Sequence, residues 1–394
     1  MRSFDYANHT ELVFGRGAIS GIGEHAAAAT DGRCALLVHS GRSAWERPWL
    51  EQARDSLSES GFQVVELTGV MPNPRLSLVR QGVGLAREAG ASIVIGVGGG
   101  SAIDTAKAVA AGAAYEGDVW DLFSGEAEVE GCLPIGAVAT IAASGAESSK
   151  YSVITNDDTL EKLGAGAPCL RPLFAIMDPE STFTLPAYQT ACGAADIMAH
   201  AMDTYFGDTR EAFLQHELLE GIMRTVVRYA PVALAEPEDY EARAQLMLAG
   251  TFAMGQQLGV GHSTNLAPHE IGEFLGGVYD VTHGAVLAVL EPACIREVMR
   301  EKGGVGRVAR FAANVMDVPC DPEDTHRMAE EGLARLRAFL CELGLPQTLR
   351  ELGIDYAADR DRLYGKVGTW DADGDVYQRY DAETVDRILS SVAG

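Results

Sequence analysis

Residues 92–114, SIVIGVGGGSAIDTAKAVAAGAA, constrain the fold more than any other stretch of this chain. An unbroken apolar run rich in β-branched residues leads into three consecutive glycines and then into an alanine-rich segment with helical character. A strand that is apolar on both faces needs a layer on each side, which is the environment of a central strand in a parallel α/β sheet. The glycines let the backbone approach an anion closely, and the free amides and positive end of a helix starting near Ala102 would face it. The segment therefore predicts a pyrophosphate seat at Gly98, Gly99, Gly100 and Ser101, with a plain tight βα turn as the alternative. The spacing is neither G-x-G-x-x-G nor the P-loop pattern, because Lys107 falls a full turn too far on. Asp104 reads either as part of the cofactor site or as a first-turn helix cap.

The strand pattern recurs in CALLVHS (34–40), FQVVELT (62–68), CLPIGAVAT (132–140) and PLFAIMDP (172–179), and amphipathic stretches such as LSLVRQGVGLAREAG alternate with the earlier runs. From about Pro186 onward the apolar periodicity is helical, as in ELLEGIMRTVVRYAPVALA and HRMAEEGLARLRAFLCELG. The expected architecture is an α/β Rossmann-like dinucleotide-binding domain over residues 1–186 and an all-α metal- and substrate-binding domain over residues 187–394. Two domains suit 394 residues, and 47% hydrophobic residues suffice for their cores.

Charge and cysteine usage narrow the setting. The 56 acidic against 31 basic residues give a net charge of −25, spread along the chain, which disfavours nucleic acid as a partner. No run of 18 apolar residues and no apolar N-terminal segment occurs, so the expectation is a protein off the membrane, unprocessed and cytoplasmic. The seven cysteines include no CxxC pair and sit among apolar neighbours, as reduced thiols of a cytoplasm do.

Two segments could complete a dinucleotide site. HSGRSAWERP (39–48) follows the first of these strands, where an acidic residue commonly reads the adenosine ribose. Here Gly41, Arg42 and Ser43 stand instead, and Arg42 between small neighbours suits a 2′-phosphate, which favours NADPH over NADH; a solvated arginine is the alternative. TIAASGAESSKYSVIT (140–155) is dense in hydroxyls, and Thr140, Ser144 and Ser149 are candidates for the nicotinamide end, against a β-hairpin with serine-rich turns.

The second half carries a different constellation. In CGAADIMAHAMDTYF, Asp196 and His200 lie four apart, hence on one helix face about a turn apart. Alone they could be a hydrogen-bonded pair. APHEIGEFLGGVYDVTHGAVLAVL adds His269 and His283, and one Asp with three His suits Fe²⁺ or Zn²⁺ with open positions for a substrate oxygen. His262 reads as a loop histidine.

The runs PNPRLSLVRQGVGLAREAGASIVIGVGGGSAIDTAKA, DPESTFTLPAYQTACGAADIMAHAMDTY and YDVTHGAVLAVLEPA, in that order, resemble the iron-containing (group III) alcohol dehydrogenases, most closely the butanol dehydrogenase-like branch. The resemblance spans nearly the whole chain and is weakest after about residue 345. It implies an NAD(P)-dependent, metal-containing alcohol dehydrogenase or aldehyde reductase, built as a homodimer and acting on a small alcohol or aldehyde. It places the metal ligands on Asp196, His200, His269 and His283, the pyrophosphate loop on 98–101, and cofactor contacts at or near Thr140, Ser149, Lys162 and Thr182; Asn73, in the first run, joins the cofactor set. Where relatives commonly carry a histidine four residues after the third ligand, this chain has Glu273, the candidate for proton transfer or for orienting a ligand. Residues 250–285 contain no Lys or Arg, which favours an uncharged substrate and disfavours a dehydroquinate synthase-like lyase. A metal-independent reductase of the maleylacetate type and a non-catalytic nucleotide-binding relative are the remaining alternatives.

Overall fold

The computed structural model describes residues 2–41, 47–207, 212–255, 257–261, 263–367 and 380–394, and the statements below concern these. The strands are β1 (Glu11–Phe14), β2 (Cys34–His39), β3 (Gln63–Thr68), β4 (Ile93–Gly98), β5 (Ile135–Ala139), β6 (Tyr151–Thr155), β7 (Lys162–Gly166) and β8 (Phe174–Met177). The helices are α1 (Ile22–Ala29), α2 (Arg47–Glu59), α3 (Leu76–Ala89), α4 (Gly100–Ala114), α5 (Asp121–Ser124), α6 (Ala187–Tyr205), α7 (Phe213–Ala235), α8 (Tyr240–Met254), α9 (Ala267–Tyr279), α10 (His283–Val298), α11 (Gly304–Asn314), α12 (Thr325–Glu342), α13 (Tyr356–Val367) and α14 (Ala382–Ser391). They form two compact units, one of Ala7–Pro186 with Glu236–Gly255, the other of Met1–Tyr6, Ala187–Ala235 and Gln256–Gly394.

The first unit is a six-stranded parallel sheet of order β1-β8-β5-β4-β2-β3. The period of two sorts its side chains into two cores. Leu36, Val38 and Val94 pack with Val79 and Val83 of α3 and Val109 of α4, whereas Ala35, Leu37, Ile93, Ile95 and Val97 pack with Ile22 of α1 and Leu50 and Leu57 of α2. Strand β4, buried at every position, is therefore apolar without alternation. Gly96 lets α4 lie directly on it, since a Cβ there would stand 2.7 Å from Ile103 Cα. The five apolar runs read from the sequence are β2, β3, β4, β5 and β8. Two features went unread: the short edge strand β1 and the antiparallel pair β6–β7. The hairpin alternative for residues 140–155 is not met: they hold a single strand, β6, whose partner β7 lies beyond them, and Thr140, Ser144 and Ser149 precede it.

Among the described residues no strand follows β8 and no helix is long and apolar enough to cross a membrane. Two segments escape a single boundary at 186/187: Met1–Tyr6 groups with the helical unit, and α8 belongs to the sheet unit, where Met247 packs against Ala175 and Met177 and Thr251 donates to the Glu147 carboxylate. In the helical unit, α6 is buried along nearly its whole length. Gly284 brings α10 so close to α6 that a Cβ would overlap the Cys192 carbonyl, which sets His283 against α6. The amide of Asn265 donates to the Asp203 carbonyl at 2.8 Å and fixes the start of α9 on the same helix.

Candidate functional site

Within the helical unit, α6 presents Asp196 and His200 one turn apart, α9 presents His269 and α10 opens with His283. Asp196 Oδ1 lies 3.9 Å from His200 Nδ1, 3.9 Å from His269 Nε2 and 3.8 Å from His283 Nε2. These separations are too long for hydrogen bonds. They are slightly wider than the roughly 3–3.6 Å between donor atoms that sit about 2.0–2.2 Å from one cation; the donor atoms of Asp196, His200 and His269 all lie within 4.8 Å of one another, and His283 meets this group through Asp196. Asp196 Oδ1 is buried and has no hydrogen-bond partner, a state that is costly for a carboxylate oxygen and that a dication would relieve. The rings crowd together, with His200 stacked on His269 at 4.5 Å between centroids and His269 tilted against His283 at 5.2 Å. Burial pushes the His200 imidazole down to about 4 despite the opposing pull of Asp196, so it is neutral near pH 7 and its lone pair is available. One carboxylate and three imidazoles form a donor set suited to Fe²⁺ or Zn²⁺.

Glu273 stands one turn beyond His269 on α9, half-buried. His262 lies outside the described residues. A neighbour that the sequence reading missed is Asp203, whose Oδ2 is 2.6 Å from His269 Nδ1. Its spacing, seven after Asp196 and three after His200, puts it on the same face of α6 and could have pointed to it.

In the sheet unit Gly41, the turn at 98–101 and Thr140 lie at the carboxyl ends of β2, β4 and β5. The chain runs outward to β3 on one side and to β5 and β8 on the other, so the order reverses between β2 and β4, where open α/β sheets bind nucleotides. Gly98 has φ +148°, and α4 opens at Gly100, two residues earlier than expected, leaving the Gly100 and Ser101 amides in its first turn. Ser144 faces this turn, for a Cβ on Gly100 would overlap its hydroxyl. Thr140, whose amide donates to Gly98 at 3.0 Å, is fully buried and its hydroxyl has no hydrogen-bond partner. An orphaned hydroxyl beside a glycine turn fits a bound nicotinamide cofactor.

Other candidates are engaged within the chain. Asp104 lies beyond the first turn of α4, so it is not the first-turn cap expected; its carboxylate accepts from the Val153 amide at 3.2 Å. Burial raises it to about 6, with Lys107 and Lys162 pulling the other way. The Ser149 hydroxyl accepts from Lys107 Nζ at 3.1 Å, and Lys107 also donates to the carbonyls of Ser149 and Tyr151. Lys162 Nζ donates to Asn73 Oδ1 at 3.1 Å, bringing two candidates together, and Thr182 Oγ1 donates to the Pro179 carbonyl. Gly41 follows β2 with φ +66°, while Arg42 and Ser43 lie outside the described residues. Glu66 of β3, which meets His39 two residues before this turn, has both oxygens taken by Arg54, with His39 Nε2 2.9 Å from Oε2.

A parallel sheet with a glycine turn and, in the same chain, helices that gather an Asp and three His fit a metal-dependent, nicotinamide-binding enzyme. Comparison with known proteins gives the particular lineage. Residues 9–179 match the profile for iron-containing alcohol dehydrogenase, and residues 190–385 that for the C-terminal part of the Fe-containing alcohol dehydrogenase family. The NADH-dependent butanol dehydrogenase A of Clostridium acetobutylicum is 37% identical over 354 residues, 90% of each chain. The NADPH-dependent aldehyde reductase YqhD of Escherichia coli is 32% identical over 358 residues, again 90% of each. The crystal structure of NADH-dependent butanol dehydrogenase A from Thermotoga maritima superposes with a TM-score of 0.94 at 37% identity, covering 100% of this chain and 99% of that one. The chain belongs to the iron-containing alcohol dehydrogenase family, in its butanol dehydrogenase-like branch.

Proposed function

We propose that this chain interconverts a small uncharged alcohol and its aldehyde, with NADPH preferred to NADH and with Fe²⁺ or Zn²⁺ held by Asp196, His200, His269 and His283. The observation that carries the reading is the buried, unpartnered Asp196 Oδ1 facing three imidazole nitrogens at 3.8–3.9 Å. When bound, the cation supplies Lewis acidity toward the substrate oxygen and the nicotinamide gives or takes the hydride. The protein's own groups do the rest. The amides of Gly99, Gly100 and Ser101 and the end of α4 hold the pyrophosphate, with Ser144 beside them. Thr140 offers its hydroxyl to the nicotinamide end, and Asn73 with Lys162 and Thr182 bound the same site. The absence of Lys and Arg from residues 250–285 supports an uncharged substrate. The cysteines that the structure leaves free support a cytoplasmic setting, and the family resemblance supports a homodimer.

The preference for NADPH rests on Arg42 in place of an acid and on Glu66 being tied up by Arg54 and His39. An aldehyde panel assayed with both cofactors, on protein loaded separately with Fe²⁺ and Zn²⁺, tests the function; no turnover under any combination would refute it. In the same assay Arg42→Ala should raise the NADPH KM about tenfold or more, the loss of a charge-assisted hydrogen bond of about 1.5–3 kcal/mol, and leave NADH nearly unchanged. Equal effects on both cofactors would assign Arg42 a structural role.

Glu273 takes the alcohol proton in this reading, since its carboxylate replaces the histidine of relatives one turn from His269. Glu273→Gln keeps the shape and removes the base, so alcohol oxidation should fall roughly 100-fold and lose one ionisation from its pH profile, at unchanged metal content. Full activity with an unchanged pH profile would leave the proton route to water and the cofactor hydroxyls.

A further inference from the structure

We infer that Asp203 is the positioning residue of the metal centre: its carboxylate holds the proton of His269 on Nδ1 and thereby turns Nε2 toward Asp196. The inference rests on reading His269 as a ligand. An imidazole that gives one nitrogen to a cation carries its proton on the other, and that N–H needs an acceptor, above all where water is excluded. His269 is 9% exposed and Asp203 4%. Asp203 Oδ2 lies 2.6 Å from Nδ1, while Nε2 is the nitrogen 3.9 Å from Asp196 Oδ1. The ring thus has its two nitrogens addressed by two carboxylates of one helix, seven residues apart.

Helix α6 holds His269 twice over. The Asp203 carbonyl accepts from the Asn265 amide just before α9, and the Asp203 side chain meets the histidine that α9 carries. Main chain and side chain of one residue thus set both the entry of α9 and the orientation of its imidazole. A ring fixed this way loses less freedom when it ligates, which raises affinity.

A rival use of the same atoms is a second cation between Asp203, His269 and Glu291, whose donor atoms all lie within 4.8 Å of one another. Two observations disfavour it. A separation of 2.6 Å is shorter than the spacing of two donors on one cation. A histidine bridging two cations would also have to give up both ring protons.

The test uses the full-length protein and Zn²⁺. Chelator competition on the parent should give one tightly held Zn²⁺; Asp203→Asn should keep the stoichiometry and bind about 10–100-fold more weakly, and Asp203→Glu should recover part of the loss. In the Zn²⁺-loaded parent, ¹⁵N-histidine NMR should show His269 protonated at Nδ1 and not at Nε2, a readout that does not depend on any variant folding. Unchanged affinity in Asp203→Asn, or an unprotonated Nδ1, would overturn the inference. Two Zn²⁺ in the parent and one in Asp203→Asn would overturn it in favour of the second cation. A parent that holds Zn²⁺ without His269, seen as unchanged affinity in His269→Ala, would instead refute the reading of the site itself.

Discussion

Replacing His283 by Ala is expected to lower turnover at least about 1,000-fold, equivalent to roughly 4 kcal/mol of barrier, and to leave less than one equivalent of metal on the purified protein. His200→Ala should do the same. Both residues sit on helices whose packing does not rely on the imidazoles: α6 is buried along nearly all its length, and α10 carries a continuous apolar face from Ala285 to Val298. The fold should therefore survive, and circular dichroism with a thermal scan of metal-free protein separates loss of the ligand from loss of structure. Parental turnover with parental metal content in either variant would remove that histidine from the donor set.

The second large effect concerns stability. Lys107 is fully buried and donates to the carbonyls of Ser149 and Tyr151 at 2.9 and 2.7 Å, pinning the hydroxyl-rich loop and β6 onto α4. Lys107→Met matches its length but leaves both carbonyls without that donor and removes the Lys107 charge that acts on Asp104 and Glu147. Breaking a buried charged cluster from one side costs about 3–5 kcal/mol, more than the gain from no longer burying an ammonium. Denaturant unfolding should show that loss. The pH dependence adds a signature. Burial lowers Lys107 from 10.5 to about 8, so between those values the unfolded chain binds a proton that the folded chain has released. Stability contributed by this group therefore rises with pH across the window from about 8 to 10.5, and the gap between parent and variant should widen there. A variant as stable as the parent at pH 7, with the same slope above pH 8, would show that the loop is held by other bonds.

The sequence was most legible where one residue's environment is repeated along an element. Strand β4 is buried on both faces and so reads as an uninterrupted apolar run, and the glycine turn and helix that follow it are local chemistry. The same holds for Asp196 and His200, whose spacing on α6 follows from helix geometry. The missed elements lack such repetition. Strand β1 is four residues at a sheet edge with only partial burial, and β7, KLGAG, holds two glycines in five residues. Helix α8 could be read as a helix but not assigned to a unit, because its partner, the Ala175–Met177 stretch, lies about 70 residues away in sequence.

At the candidate site the division is sharper. Sequence alone determined which residue types were available: a glycine-rich anion seat, one Asp with three His at ligand-like spacings, and Glu273 where the family resemblance leads one to expect a histidine. Only the tertiary structure decided what each polar group has already spent. It placed the Ser149 hydroxyl on Lys107 and the Asp104 carboxylate on β6, left Thr140 and Asp196 Oδ1 without partners, and set Asp203 behind His269. The physical reason is that a strand or helix is specified by local periodicity, whereas a buried polar group is satisfied by partners that the fold brings in from distant parts of the chain, and only the packed core decides which of them arrive.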